Sequence, residues 1–266
     1  MNKMYSLKLI IVVSIALFLP VAILAQNTIV GYGYGKKWIE ELEEYPLTGF
    51  PTNAQLERLT HVIASDIGCF GDGSLFTGKL PNGWNGNKNL WLESLISRAH
   101  AKDIKVSICV GGDEHFPQAT NNSNLNTFVN NIVNFVNVHG FDGVDIDWER
   151  PGVDTNGNLL PLQQQIIEWN QCIALLEALK DALPSKRITI ALPGGTWFFP
   201  DTINNSEQKR ILNAVHAIHL MTYDEGEWPN HTNTAHSKNA INNWITWGTP
   251  TCPQKKKLFL GSAFYG

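Results

Sequence analysis

The sequence has few of the charged residues on which several classes of protein depend. Only 17% of its 266 residues are charged, and the 20 Lys and Arg are outnumbered by 24 Asp and Glu. A protein that binds nucleic acids through their phosphates needs an excess of positive charge, so we expect no nucleic-acid partner. Because 43% of the residues are hydrophobic, a disordered polyelectrolyte is excluded as well.

Motifs that bind metals or cofactors are lacking too. The histidines His231 and His236 have no partner cluster at metal-ligand spacing. A calcium loop counted from Asp145 would need Gly at its sixth position and Glu at its twelfth, where the sequence has Arg150 and Asn156. No glycine-rich phosphate-binding turn follows the first predicted strand. We therefore expect neither a metal nor an organic cofactor.

One long apolar run is present, at the N-terminus. Residues 1–8 are basic in character, residues 9–24 are almost wholly apolar, and small residues precede a candidate cleavage site after Ala25. This order is typical of a secretory signal peptide, and a run interrupted by Pro20 is shorter than the ~20 residues of a membrane-spanning helix. We expect residues 1–25 to be removed and residues 26–266 to form a secreted, extracellular domain without a membrane anchor.

The chain contains only four cysteines, which lie at positions 69, 109, 172 and 252. Disulfides are permitted outside the cytoplasm, and four cysteines allow three pairings between which the sequence does not decide. Cys172 lies on the apolar face of a predicted helix, so a buried free thiol is the expected form for that residue.

Strand and helix patterns alternate along the rest of the chain, and helical periodicity is clear in residues 125–136 and 163–183. The predicted strands are Thr28–Tyr34, Leu59–Ala64, Ile104–Val110, Gly143–Trp148, Arg187–Leu192, Ala217–Met221 and Leu258–Ala263. This order predicts an α/β protein with a parallel sheet, and favours a TIM (β/α)8 barrel over an open dinucleotide-binding sheet. A closed barrel needs eight strands and seven are predicted, so we expect an incomplete barrel from a longer protein.

The acids of residues 141–149 are the strongest functional signal. Asp145, Asp147 and Glu149, here called the acid row, alternate with apolar residues and should point to the inside of the barrel. A buried parallel strand is normally apolar on both faces, and catalytic groups of barrel enzymes lie at the carboxyl ends of strands. Carboxylates about 5 Å apart at a dielectric constant of ~20 repel by roughly 3 kcal/mol, so at least one proton should be retained. A solvated acidic face is the alternative. The outermost acid, Glu149, is the predicted proton donor.

Further candidates follow other strands. Tyr223 and Asp224 come directly after an apolar strand and should reach the same rim, with a capped strand end as the alternative. Trp197 and Trp228 also follow strands. Their rings suit stacking on sugar faces, with ordinary core packing as the alternative.

The run Asp142-x-x-Asp145-x-Asp147-x-Glu149 resembles the signature of family-18 glycoside hydrolases, the chitinases and their relatives. Other segments resemble strands of that family in the same order, namely residues 30–32, 59–61, 105–112, 221–224 and 260–266. The resemblance implies a barrel enzyme that hydrolyses the bond following an N-acetylglucosamine with retention, using the acetamido group of the substrate as the nucleophile.

The resemblance also implies roles for matching residues. Glu149 would protonate the leaving oxygen and then activate water, and Asp147 would orient the acetamido group and stabilise the oxazolinium ion. Asp145 would share a proton with Asp147. Tyr223 would hold the acetamido oxygen, and Asp142 would be structural. The remaining substrate-binding candidates are Tyr32, Met221, Asp224, Trp197 and Trp228.

Three residues depart from the pattern of the family. Cys109 stands where the family usually has Ser, Arg150 stands where an aromatic residue often follows the acid, and Asp66 lies near the usual aromatic end of the second strand. The predicted function is a secreted, monomeric hydrolase of chitin or chito-oligosaccharides. An endo-β-N-acetylglucosaminidase acting on N-glycans and a non-catalytic chitin-binding lectin of the same fold are the alternatives.

Overall fold

The computed structural model describes residues 28–33, 52–77, 88–112, 114–194, 205–224, 233–248 and 251–262. The strands are β1 (Val30–Gly33), β2 (His61–Cys69), β3 (Leu75–Phe76), β4 (Lys105–Gly111), β5 (Gly143–Asp147), β6 (Arg187–Pro193), β7 (Ala217–Met221) and β8 (Leu258–Leu260). The helices are α1 (Asn53–Leu56), α2 (Lys88–His100), α3 (Phe116–Ala119), α4 (Leu125–His139), α5 (Leu162–Ala182), α6 (Asn205–Ala214), α7 (Thr234–Gly248) and α8 (Cys252–Lys255). The predicted signal peptide and the candidates Trp197 and Trp228 lie outside the described residues.

Within these ranges, seven strands form one parallel sheet in the order β1-β2-β4-β5-β6-β7-β8, and β3 pairs antiparallel with the end of β2. The sheet is strongly curled. This curl brings the hydroxyl oxygen of Tyr32 on β1 to 2.7 Å from Nδ1 of His219 on β7. Side chains from distant strands therefore meet in one interior. The prediction of an incomplete TIM barrel with seven parallel strands is confirmed.

Several strands end at other residues than predicted, and the largest difference is at the carboxyl end of β2. β2 continues to Cys69 through a β-bulge, where the register with β4 shifts between Ala64 and Ile67. Ser65 and Asp66 there break the apolar run, which is why the predicted strand was too short. The predicted end of the β5 segment was wrong by one residue, since β5 ends at Asp147.

Helices pack on the outer face of the sheet as the periodicity predicts. Phe128, Val129, Ile132 and Val136 of α4 are buried against the core. The helix ends at Gly140, whose φ of 75° lies in the left-handed region that glycine enters without strain. Burial of one such aliphatic or aromatic side chain stabilises the fold by about 1.5–3 kcal/mol.

Three of the four cysteines have described side chains, and all three, at positions 69, 109 and 172, are buried thiols that form no disulfide. The prediction for Cys172 is therefore confirmed. Among the described helices, none is both long enough and apolar enough to cross a membrane.

Candidate active site

The alternation along β5 separates an acidic face from an apolar one. Asp145 is fully buried inside the barrel, whereas the ring of Trp148 stacks at 4.9 Å on Phe116 of α3, outside the sheet. Asp147 is half-buried at the end of the strand, and Glu149 is half-buried two residues further on. For Asp145 and Trp148 the predicted division of this segment into two faces is confirmed, and for Asp147 and Glu149 it stays a prediction.

Three side chains from three other strands converge on the carboxylate of Asp145. The Tyr32 hydroxyl donates to Oδ2 at 2.9 Å, and the Thr189 hydroxyl makes a short hydrogen bond to Oδ1. Nδ1 of His219 lies 3.2 Å from Oδ1. A carboxylate that is removed from water needs such partners, because a buried charge without hydrogen bonds is strongly destabilising.

The sequence analysis missed Thr189 and His219 as members of this site. Each is a buried polar residue within an otherwise apolar strand, β6 or β7. The signal that identified Asp145, a polar residue at an inward position of a buried strand, was present at both positions as well.

Tyr32 was predicted to bind substrate, and the structure places its hydroxyl against Asp145. Burial raises the pKa of Tyr32 well above its usual range, and the negative charge of Asp145 raises that pKa further. The phenol therefore keeps its proton and acts as a donor to the carboxylate.

A second carboxylate lies close to Asp147. A β-carbon built on Gly111 of β4 would be 3.4 Å from Oδ2 of Asp66 and 3.6 Å from Oδ2 of Asp147. The bulge in β2 brings Asp66 to this position, and bulges commonly redirect side chains beside active sites. Asp66 thus adds a fourth acid to the surroundings of the acid row.

The candidates at the end of β7 lie at the same carboxyl edge of the sheet. Met221 and Tyr223 are half-buried and Asp224 is exposed, with a φ of 60°. A β-carbon built on Gly261 would be 2.8 Å from Cε1 of Tyr223 and 2.8 Å from the Leu220 carbonyl oxygen. The Tyr223 ring therefore packs in the space that this glycine leaves open.

Asp142 lies at the opposite, amino end of β5. Its Oδ2 accepts hydrogen bonds from the Val106 N–H at 2.9 Å and from Nε2 of His100 at 2.7 Å, and Nζ of Lys105 is 3.1 Å from Oδ1. Burial alone would raise the pKa of Asp142, but these hydrogen bonds outweigh it and lower that pKa. The carboxylate thereby ties the start of β5 to β4 and α2.

The comparisons with known proteins agree with this geometry. The model of the family described as glycosyl hydrolases family 18 matches residues 28–266. The chain belongs to that family.

Curated relatives of this family 18 chain include chitinases from fungi and insects. Chitinase 1 of Aphanocladium album is 26% identical over 261 residues, which cover 81% of this chain and 56% of that protein. The endochitinase of Manduca sexta is 26% identical over 237 residues, or 79% of this chain and 40% of that protein. The chain spans about half the length, or less, of these relatives.

Solved structures of family 18 proteins show the same fold. The chitinase domain of the spore coat protein CotE from Clostridium difficile matches with a TM-score of 0.66 and 21% identity, over 90% of this chain and 66% of that chain. A chitinase from Bacteroides thetaiotaomicron matches with a TM-score of 0.64 and 20% identity, over 87% of this chain and 65% of that chain.

The departures from the usual family 18 pattern can now be located. Cys109 pairs in register with Asp145 across β4 and β5, at the position where the family usually has Ser. In this chain a hydroxyl reaches Asp145 from the strand on its other side, through Thr189. Arg150 is half-buried directly after Glu149.

Among the described residues, no three His, Cys, Asp or Glu side chains are grouped so that they could hold a metal ion.

Proposed function

We propose that this family 18 protein is a secreted, monomeric, retaining hydrolase of the β-1,4 bonds of chitin or chito-oligosaccharides. The observation that carries the proposal is the arrangement of β5, where Asp147 and Glu149 lie at the rim above a buried and hydrogen-bonded Asp145. The chitinase relatives support chitin as the substrate class.

In the first step, Glu149 donates its proton to the glycosidic oxygen as the bond between C1 and that oxygen breaks. The acetamido oxygen of the substrate attacks C1 at the same time and forms a cyclic oxazolinium ion. The Asp147 carboxylate accepts a hydrogen bond from the acetamido N–H and stabilises the positive charge that develops. Tyr223 donates its hydroxyl hydrogen to the acetamido oxygen and orients it before attack.

In the second step, Glu149 removes a proton from water, and the water oxygen attacks C1 from the face that the leaving group vacated. The oxazolinium ring opens, the acetamido group is regenerated and the product retains the β configuration. Glu149 ends the cycle protonated, so no other acid or base is consumed.

Asp145, which is the more deeply buried of the two acids, supports Asp147 by sharing a proton with it. A carboxylate offers about four acceptor sites; the hydroxyls of Tyr32 and Thr189 occupy two of them, and Nδ1 of His219 lies against a third. The remaining site allows a proton to be shared with Asp147 before the substrate binds. When Asp147 turns to the acetamido N–H, the proton stays with Asp145.

The test offers chitotetraose and a high-mannose glycoprotein to the full-length protein, with Glu149→Gln as the comparison. We expect hydrolysis of chitotetraose with initial products in the β anomer, observed by NMR, and a loss of about 10²–10⁴-fold in kcat for Glu149→Gln. Exclusive glycan release would show an endo-β-N-acetylglucosaminidase, and binding without hydrolysis would show a lectin. Unchanged activity of Glu149→Gln would remove Glu149 from the mechanism.

A further inference from the structure

His219 occupies a closed position in the middle of β7. The residue is 6% exposed, and its ring makes edge contacts with Tyr32 at 5.6 Å and with Phe259 of β8 at 5.7 Å. Its two nitrogens have different surroundings. Nδ1 is 2.7 Å from the Tyr32 hydroxyl oxygen and 3.2 Å from Oδ1 of Asp145. Nε2 is buried and has no hydrogen-bond partner among the described residues.

The position of one proton follows from these contacts. Tyr32 has a single hydroxyl hydrogen, and Oδ2 of Asp145 at 2.9 Å is an acceptor that cannot donate when ionised. With that hydrogen on the Asp145 side, the short contact between Tyr32 and His219 needs a hydrogen on Nδ1. In the other tautomer the hydrogen is on Nε2 and the Tyr32 hydroxyl donates to Nδ1. The Nδ1 lone pair would then lie against Oδ1 of Asp145, which is repulsive, and the buried Nε2–H would have no acceptor among the described residues.

We propose that His219 is a positioning residue for the acid row: its Nδ1–H donates to the Tyr32 hydroxyl oxygen and thereby directs the only hydroxyl hydrogen of Tyr32 to Asp145. This inference rests on the proposed function and adds a residue to it. His219 acts through its contacts with Tyr32 and Asp145 and does not itself contact the sugar in this proposal.

The expected kinetic consequence is a change in kcat rather than in KM. Loss of the Nδ1–H leaves the Tyr32 hydroxyl free to rotate away from Asp145, which then holds its proton and its orientation less well. The sugar contacts of Asp147, Tyr223 and Asp224 do not involve His219, so substrate affinity is expected to change little.

Two substitutions of the same residue separate the nitrogens. In His219→Asn the amide nitrogen is as many bonds from the backbone as Nδ1, whereas in His219→Gln it is as many bonds away as Nε2. We expect His219→Gln to lower kcat on chitotetraose by about 10- to 100-fold with KM nearly unchanged. His219→Asn should retain kcat within about threefold of the original protein, because it keeps the donor. Equal losses in the two variants would overturn the proposal.

A spectroscopic measurement tests the hydrogen bond independently of activity. In protein labelled with 15N at histidine, the resonances of His219 are assigned by their absence in His219→Asn. We expect the tautomer with hydrogen on Nδ1, the less common form in solution. The Nε2–H tautomer would refute the proposal. If the original protein does not hydrolyse chitotetraose but shows hydrogen on Nδ1, the proposed function fails and the hydrogen-bond assignment stands.

Discussion

Asp142 directly precedes β5 and Asp145 lies in the middle of that strand, yet the two carboxylates have different kinds of partner. The Asp142 side chain is 21% exposed and contacts His100 and Lys105, two residues that can carry positive charge. The Asp145 side chain is fully buried and contacts the hydroxyls of Tyr32 and Thr189 and the His219 ring. The first carboxylate forms an ion pair with Lys105, and the second is held largely by dipoles.

The difference matters because a dipole stabilises a carboxylate without cancelling its charge at longer range. A carboxylate in an ion pair, such as Asp142, produces only a weak electric field at a distance, and its role is to connect elements of the fold. A carboxylate held by hydroxyls keeps a negative potential inside a cavity of low dielectric constant. In the proposed reaction this potential keeps the shared proton on Asp145 once Asp147 has turned to the acetamido group, so that Asp147 is left ionised beside the oxazolinium ion.

The largest effect is expected when the same substitution is made at Asp145 and, as a control, at Asp142. Asp145→Asn removes the charge and turns an amide N–H toward a hydroxyl donor, so kcat on chitotetraose should fall by about 10²–10⁴-fold. The control is Asp142→Asn, for which steady-state kinetics should give kcat within about threefold of the original protein. Similar losses in the two variants would contradict the distinction between the two carboxylates.

A smaller effect is expected from paired glycine substitutions on neighbouring strands, measured as the free energy of unfolding in urea. A β-carbon on Gly143, at the start of β5, would overlap the Arg187 carbonyl oxygen and lie 2.7 Å from Oγ of Ser107. Because a backbone atom cannot yield, Gly143→Ala should destabilise the protein by about 1–3 kcal/mol or more.

The matched control is Gly111→Ala at the end of β4, where the nearest atoms to a new β-carbon are side-chain atoms of Asp66 and Asp147 at 3.4–3.6 Å. This is an ordinary contact, so the unfolding free energy should change by less than about 1 kcal/mol. Equal destabilisation by the two alanines would show that the carboxyl end of the sheet is packed as tightly as the amino end.

The smallest effect concerns the stability of Asp142→Asn and its dependence on pH. The pKa of Asp142 is lowered from 3.8 in the folded protein. Its contribution to stability is therefore present above pH 3.8 and is lost as the pH falls through the folded pKa. His100 and Lys105 are 41% and 63% exposed, and solvent screening limits the loss in Asp142→Asn at pH 7 to about 1 kcal/mol or less.

Urea denaturation of both proteins at pH 7 and at a series of acidic values checks this expectation. The difference in unfolding free energy between the original protein and Asp142→Asn should shrink as the solution is acidified. A difference that stays constant across the series would contradict the assigned ion pairs.

The sequence predicted those parts of the fold that depend on local periodicity. The seven parallel strands, α4 and its end at Gly140, and the two faces of β5 follow from spacings of 2 and 3.6 residues. The β-bulge at Asp66 was missed because a bulge interrupts the periodicity on which the prediction of a strand rests. A polar residue at that place is equally consistent with the end of a strand.

The partners of Asp145 could not be predicted for a different reason. Thr189 and His219 are single polar residues in apolar strands, and a single residue does not show which side chain it faces. Only the curl of the sheet brings β1, β6 and β7 to the same point, and this curl depends on all the strands between them. The roles assigned to Glu149, Asp147 and Tyr223 remain predictions that the experiments above address.

The wide spacing of the Asp145 partners along the chain has a consequence for biosynthesis. Thr189 follows Asp145 by 44 residues, and Tyr32 is separated from His219 by 187 residues. When β5 has just left the ribosome, two of the three residues that surround the Asp145 carboxylate, Thr189 and His219, have not yet been synthesised. The contact between Tyr32 and His219 can form only once β7 has been synthesised, and contacts of such long range form late in folding. The surroundings of the Asp145 carboxylate are therefore completed only after β7 is made, and a nascent fragment that ends before His219 lacks one of the three partners.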